Sequence, residues 1–398
     1  MPVGEPTPFI ISGKGAHVFD AEGREYIDYL CAYGPVLLGH ADRRIARAVD
    51  SAIRKGAVFG ATHPEEVRLA ERICTRFPSM ERVRFVSTGT EACMSAVRVA
   101  RSVTRREKIV RFAGCYHGHS DEMIFGAGAS SLSSATLESG VTQGVVDDVI
   151  IVPYNDLPAL DLALREHAND VGAVIVEPVA ANMGLCLPDP GYLQALRDRT
   201  QAIGALLIFD EVITGFRLGP SGAQGAYQIR PDLTCIGKML GGGLPIAAFG
   251  GAADIMAALA PGGPVFVGGT FSGNPTCVAA AHAFLDAIDS DEKFFVKLED
   301  LARRMAAGLE TIIESLALGY PVVQRASMVD FMFQTGMPHR NMLEAKEADA
   351  KAYARYYHAM LDQGILLPPS QMELMFVTAS HSEADVEATL AAAERALS

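Results

Sequence analysis

The sequence predicts an α/β protein: a large domain on a mostly parallel sheet, with a smaller α/β domain beside it. Three observations carry this. From about residue 80, short apolar runs alternate with helical segments: RVRFVS (82–87), VIIVPY (149–154), GAVIVEP (172–178), ALLIFDE (205–211), LTCIG (233–237) and IAAFGG (246–251). Continuous apolar runs separated by helices indicate strands buried on both faces of a parallel sheet. After about residue 285 the pattern turns helix-rich. The length, 398 residues, exceeds one simple core and suits two domains, or one large domain with a smaller partner.

Along the chain, residues 17–29, HVFDAEGREYIDY, alternate apolar and polar around a Glu-Gly turn, which predicts a hairpin. Helical periodicity follows from Ile45 to Ile53 and from Glu65 to Phe77. The last helix is capped by Ser382 and carries Val386, Leu390, Ala393 and Leu397 on one face. The expected division is residues 40–285 for the large domain. The smaller one combines residues 1–39 with 286–398. No Pro/Ser-rich linker marks the boundary.

Composition narrows the function classes. The net charge is −13 with no long basic run, which argues against a nucleic-acid groove or a polybasic membrane face. No segment offers 18 uncharged apolar residues, so no membrane span is expected. Residues Met1 to Ile11 lack a basic stretch followed by an apolar one, so they do not read as a signal peptide. The 7 cysteines are scattered and free of CxxC spacing; they read as reduced thiols of a cytoplasmic protein. No metal site is expected. The His117 and His119 pair in GCYHGH is by itself a weak metal signal.

Several segments carry chemistry. In FVSTGTEA (85–92) a strand runs through Thr88, Gly89 and Thr90 into a helix, which makes either an anion cup or an ordinary N-cap. ALLIFDE puts Asp210 and Glu211 at the end of a buried strand, the edge where ligands of open α/β sheets bind. A P-loop ATPase would need GxxxxGK[ST], which is missing. In IGKMLGGGLP (236–245), Lys238 follows a strand and precedes three glycines, which let a backbone or a flat ligand come close. It is either a solvated loop lysine or a semi-buried reactive one. Tyr116, in GCYHGH, is either core or a ring for stacking.

Together these parts resemble a fold-type-I, class-III aminotransferase that uses pyridoxal 5′-phosphate, and within that class the glutamate-1-semialdehyde aminomutases. The resemblance rests on STGTEACMSAVRVAR, GCYHGH, IVEPVAANMG, LLIFDEVITGFR, PDLTCIGKMLGGGLP, GTFSGNP and PPSQMELMF, and covers nearly the whole chain. It implies that Lys238 holds the cofactor and that Asp210 pairs with its pyridine nitrogen. Thr88, Gly89 and Thr90 would form the phosphate cup. Tyr116 would stack on one ring face and Val212 pack on the other. Glu177 and Asn182 would lie near the phenolate oxygen, with His117 also at the cofactor. Thr270 would reach the phosphate of a neighbouring subunit, which implies a homodimer. Tyr33 and Glu373 fall on the substrate side.

Three departures also lie on that side. The aminomutase stretch with a carboxylate-gripping Arg near the N-terminus has no counterpart in this sequence. Tyr33, in CAYGP, stands where the family has Trp. The segment GAGASSLSSATLESGV (126–141) differs from the family's mobile lid. From these the expected function is an aminotransferase with an altered substrate pocket, moving an amino group from an amine or amino-acid donor to a carbonyl acceptor. The alternative is glutamate-1-semialdehyde 2,1-aminomutase itself, which forms 5-aminolevulinate.

Overall fold

The computed structural model describes residues 3–4, 7–125 and 140–398. The chain opens with β1 (Ile10–Lys14), β2 (His17–Asp20) and β3 (Glu25–Asp28), an antiparallel meander. The turn between β2 and β3 holds Glu22 and Gly23, as the alternation predicts. Asp20 closes it, its Oδ1 accepting from the amides of Glu22 and Arg24 at 2.9 Å each. Helices α1 (Arg43–Ile53) and α2 (Pro64–Arg76) come next. They fall within a residue or two of the periodic stretches read from the sequence.

The large sheet contains β4 (Arg82–Val86), β5 (Lys108–Ala113), β6 (Val149–Pro153), β7 (Val171–Val176), β8 (Leu206–Asp210), β9 (Leu233–Ile236) and β10 (Ala247–Gly251), in the order β4-β10-β9-β8-β7-β5-β6. All neighbours are parallel except β10, which is antiparallel to both β4 and β9. β4 therefore still points the same way as β9. The C-terminal ends of β4, β5, β7, β8 and β9 all open on one edge, the edge where such sheets bind ligands. Every residue of β7, β9 and β10 is buried, as expected for strands covered on both faces.

β5 is a strand that the apolar-run reading passed over. Its sequence, KIVRFA, carries Arg111 at its centre, and that charge breaks the run. In the fold Arg111 is fully buried, its guanidinium 4.8 Å from the Phe125 ring centroid. Desolvation holds its pKa down to about 10.

The remaining strands are β11 (Val322–Arg325), β12 (Met328–Phe331), β13 (Ile365–Leu366) and β14 (Met375–Phe376). β13 pairs in parallel with β3, aligning Ile365 with Ile27. β11, β12 and β14 form a separate antiparallel sheet. One apolar cluster joins Val18, Tyr26 and Tyr29 to Met305, Leu309, Tyr356, Met360 and Val386, so the first thirty residues and the last hundred share a core. The final helix, Glu383–Leu397, starts at Ser382, whose hydroxyl caps the amide of Asp385 while the Asp385 carboxylate accepts from the Ser382 amide.

Glu211 fastens the end of β8 to the short helix Gly222–Tyr227. Its buried carboxylate accepts from the amides of Ala223 and Gln224 and from the Thr214 hydroxyl. Gly222, at φ +60°, is required: a Cβ there would stand 2.1 Å from Glu211 Oε2. Glu211→Gln would set an amide NH2 against these donors. It should lower the unfolding free energy by about 1–3 kcal/mol, the cost of leaving buried donors unmatched. Denaturant titration checks this, with unchanged stability as the contrary result.

Candidate active site

The five strand ends at one edge build a cavity of about 180 Å³, lined by Gly89, Thr90, Cys93, Tyr116, His117, Gly118, Glu177, Asn182, Asp210, Val212, Ile213 and Lys238. Beyond β4, helix α3 (Gly89–Thr104) begins with Thr88 as N-cap. Thr88 Oγ1 accepts from the Glu91 amide at 3.2 Å, and Glu91 Oε2 accepts from the amides of Ser87 and Thr88 at 2.7 and 2.9 Å. The Thr88 hydroxyl is thus occupied by the helix itself and does not line the cavity. Gly89 and Thr90, as the first helical residues, carry amides that no intrahelical carbonyl reaches, and the helix dipole adds positive potential there. Gly89 also admits its neighbour: a Cβ would lie 3.0 Å from Val212 Cγ2.

Beyond β5, the loop 114–119 carries Tyr116 and His117. Gly118 has φ +95°, and a Cβ on it would stand 2.4 Å from Thr90 Oγ1, so glycine lets this loop close against α3. The Tyr116 amide donates to Glu177 Oε1 at 2.6 Å. Glu177, just beyond β7, is buried and accepts as well from the Ala181 amide and twice from Asn182 Nδ2, at 3.0 to 3.1 Å. It ties the Tyr116 loop to the Asn182 loop. Burial first, and then the Asp210 carboxylate, push its pKa up, against the pull of His117.

Asp210, ending β8, is held from three directions. Oδ1 accepts from the Val212 amide at 3.0 Å; Oδ2 lies 2.7 Å from His117 Nδ1 and accepts from Cys93 Sγ at 3.3 Å. Three separate segments orient it, and Val212 follows from the same turn. Cys93 and Ile213 line the cavity although sequence reasoning did not single them out. Cys93 lies one turn into α3 among its buried residues, and a buried Cys gives no signal of its own in sequence.

Lys238 follows β9 through Gly237. Its φ is +43°, uncommon for a residue with a side chain, and such outliers cluster at ligand sites. A Cβ on Gly237 would meet that of Ala247 at 3.3 Å, a tight contact. Desolvation holds the Lys238 pKa below the usual lysine range, although Glu373, Glu177 and Asp210 oppose the shift. Glu373 does not line the cavity, but it acts on Lys238, and its own carboxyl is pushed up to about 7 by burial.

Of the residues named from the sequence, the fold brings Gly89, Thr90, Tyr116, His117, Glu177, Asn182, Asp210, Val212 and Lys238 together. Tyr33 and Glu373 stand outside that lining but near each other, since the Glu373 carboxylate helps to raise the Tyr33 phenol. Thr270 is elsewhere, on an exposed stretch lining a hollow with Phe59, His63, Arg84 and Asn274. The segment 126–139 lies outside the described residues. Among the described residues no helix is long and apolar enough to cross a membrane.

The cavity suits pyridoxal phosphate. It offers unpaired helix amides for an anion, an oriented carboxylate for a ring N–H, an aromatic side chain at the rim and a lysine of lowered pKa, while the absent Cβ of Gly89 leaves space beside Val212.

The family model for aminotransferase class-III matches residues 2–396. The chain is 45% identical over 397 residues to "Glutamate-1-semialdehyde 2,1-aminomutase 2" of Bacillus cereus, covering 100% of this chain and 92% of that protein. Among solved structures, a transaminase with PLP bound superimposes with a TM-score of 0.90 at 30% identity, over 99% of this chain and 91% of that one. A glutamate-1-semialdehyde-aminomutase from Pseudomonas aeruginosa PAO1 gives a TM-score of 0.88 at 27% identity, over 99% and 88%.

The full-length match to aminomutases overturns the expectation of an aminotransferase with an altered pocket. That expectation weighed three local departures. One concerned where the sequence begins, which says nothing about the pocket. Another concerned a segment that lies, up to residue 139, outside the described residues. The third, Tyr33, keeps an aromatic ring where the family has one. Against these stands identity spread along the whole chain. With a mostly parallel sheet, a lysine and an aspartate at its ligand-binding edge and a family match over nearly every residue, the chain belongs to the class-III aminotransferases, enzymes of PLP fold type I whose cofactor is pyridoxal 5′-phosphate.

Proposed function

We propose that this chain is a glutamate-1-semialdehyde 2,1-aminomutase, which shifts nitrogen between two carbons of one carboxylate-bearing molecule to give 5-aminolevulinate. The observation that carries the reading is the 45% identity to a curated aminomutase over 397 residues. Donor and acceptor are then successive forms of one substrate.

When bound, pyridoxal phosphate supplies a conjugated ring that accepts electron density from the carbon bearing the amine. The rest falls to the side chains. The Gly89 and Thr90 amides would hold the phosphate at the start of α3. Tyr116 and Val212 would pack the two ring faces, with His117, Glu177 and Asn182 at the ring's edge. Asp210 would keep the ring nitrogen protonated, because an opposite charge favours the charged form. Lys238 would hold the cofactor's aldehyde carbon and, when free, would take up on Nζ the proton of the substrate carbon that bears the amine. A pKa below the ordinary lysine value raises the share of Lys238 present as free base near neutrality, which is the form that can take a proton. Glu373, with a pKa near 7, can hold or release a proton beside that amine at the same pH.

The assignment of 1–39 and 286–398 to one small domain is part of this reading, and the pairing of β13 with β3 supports it. Unpaired cysteines at all seven positions fit a cytoplasmic enzyme. A homodimer fits the exposed Phe266 and Phe271 that flank Thr270.

Three measurements test the proposal. Purified protein given glutamate-1-semialdehyde alone should release 5-aminolevulinate without an added amino donor or acceptor. Its kcat/KM should exceed that for any keto acid and amine pair; a strict need for a second substrate would refute the aminomutase reading. Borohydride treatment of the protein with PLP should place the cofactor's mass on the peptide containing Lys238. In Lys238→Ala that adduct and turnover should both vanish, and a full-yield adduct on another lysine would displace the assignment. Size-exclusion chromatography with light scattering should return a dimer, and Thr270→Ala should retain PLP less tightly. A fully active monomer would contradict the shared site.

A further inference from the structure

Residues Cys31, Ala32 and Tyr33 have φ of +47°, +53° and +63°, and Gly34 follows at +112°. Three successive residues with side chains in the left-handed region are costly, at about 1–2 kcal/mol each. The fold must over-determine such a turn for it to persist. Its first half is held by Asp28, which accepts from the Cys31 amide at 3.0 Å, and by the Cys31 thiol, which donates to Asp28 O and Phe376 O. Its second half is held by Arg217.

Arg217 is buried, at 2% exposure, and no carboxylate lies within ion-pair distance among the described residues. Its partners are all neutral. Nη2 donates to Gly34 O and to Met239 Sδ, Nη1 to Ser327 Oγ at 2.9 Å, and Nε to Ile213 O at 3.3 Å. The guanidinium carbon lies 4.5 Å from the Phe376 ring centroid. One cation therefore joins the strained turn to Ile213, and Ile213 is a wall of the Lys238 cavity. Cys31 packs in the same apolar cluster as Ile213, Val179 and Ala181. Tyr33, on the turn's exposed side, feels the same Glu373 carboxylate that acts on Lys238 and Tyr116.

We propose that Arg217 is a positioning residue: it clamps the left-handed turn Cys31–Gly34 against the Ile213 wall, and so fixes Tyr33 as the specificity element on the substrate side of the Lys238 cavity. A buried charge without a counter-ion is expensive to keep. Its four neutral partners account for its orientation. This inference rests on the aminomutase reading.

The test compares PLP-loaded wild type with Arg217→Met, Arg217→Lys and Gly34→Ala. In Arg217→Met, KM for glutamate-1-semialdehyde should rise about tenfold or more, the scale of one charge-assisted hydrogen bond, with kcat held within about threefold. Arg217→Lys, which keeps the charge and can reach Gly34 O, should recover part of that loss. Gly34→Ala leaves the guanidinium in place but strains the turn, since its Cβ would sit 3.4 Å from Arg217 Nη2. It should reproduce the rise in KM while PLP affinity stays at the wild-type value. Unchanged KM in both Arg217→Met and Gly34→Ala would overturn the proposal. So would a fall in kcat or in PLP affinity that Arg217→Lys does not relieve, because that pattern means general collapse. If wild type itself makes no 5-aminolevulinate, the function has failed; if wild type is active and the variants match it, the clamp has failed.

Discussion

The site depends on one buried carboxylate. Asp210 sits at the end of a strand covered on both faces, where an unsatisfied charge would be costly. It is held by an amide from its own turn, a thiol from α3 and an imidazole from the loop after β5. Satisfying that carboxylate fixes three segments relative to one another. Those segments also carry the helix amides, the Tyr116 ring and Val212. The Glu177 carboxylate repeats the device one strand over, with Tyr116, Ala181 and Asn182 as donors. Lys238 then needs only the sharp exit from β9 to face both.

The sheet was legible because most of its strands read as short apolar runs separated by helical segments. β5 was not legible, since Arg111 interrupts it. A buried guanidinium against Phe125 is a tertiary arrangement with no local signature. Strand direction was only partly readable: the reversed β10 carries the same kind of apolar run as its parallel neighbours. Among site residues, Asp210, Lys238 and the Gly89–Thr90 start of α3 stood out through position at strand ends. Thr88 looked equally suited to an anion, yet its hydroxyl is used by the capping box with Glu91. Cys93 and Ile213 could be found only once the fold was known.

The substrate side illustrates a different limit. Tyr33 and the 126–141 segment differ locally from the aminomutase pattern, and local differences weigh heavily when motifs are read one at a time. Identity along the full chain weighs them differently. A pocket is shaped by supporting contacts, such as those of Arg217 with Gly34 and Ile213, as much as by the residues that face the substrate.

The pairing of β3 with β13 has a consequence for how the molecule is made. His17 and Asp385, 368 positions apart in the chain, hydrogen-bond across the same region. During synthesis the meander emerges before the central sheet, whereas its parallel partner and the helix Glu383–Leu397 emerge after it. Contacts between such distant segments form slowly, because the loop between them must be closed first. The central sheet, built from nearer neighbours, can assemble in the meantime. Until those segments arrive, the nascent chain carries the edge of β3 and the apolar side chains of Val18, Tyr26 and Tyr29 uncovered. Chaperone contact and the risk of misassociation should concentrate at those first thirty residues.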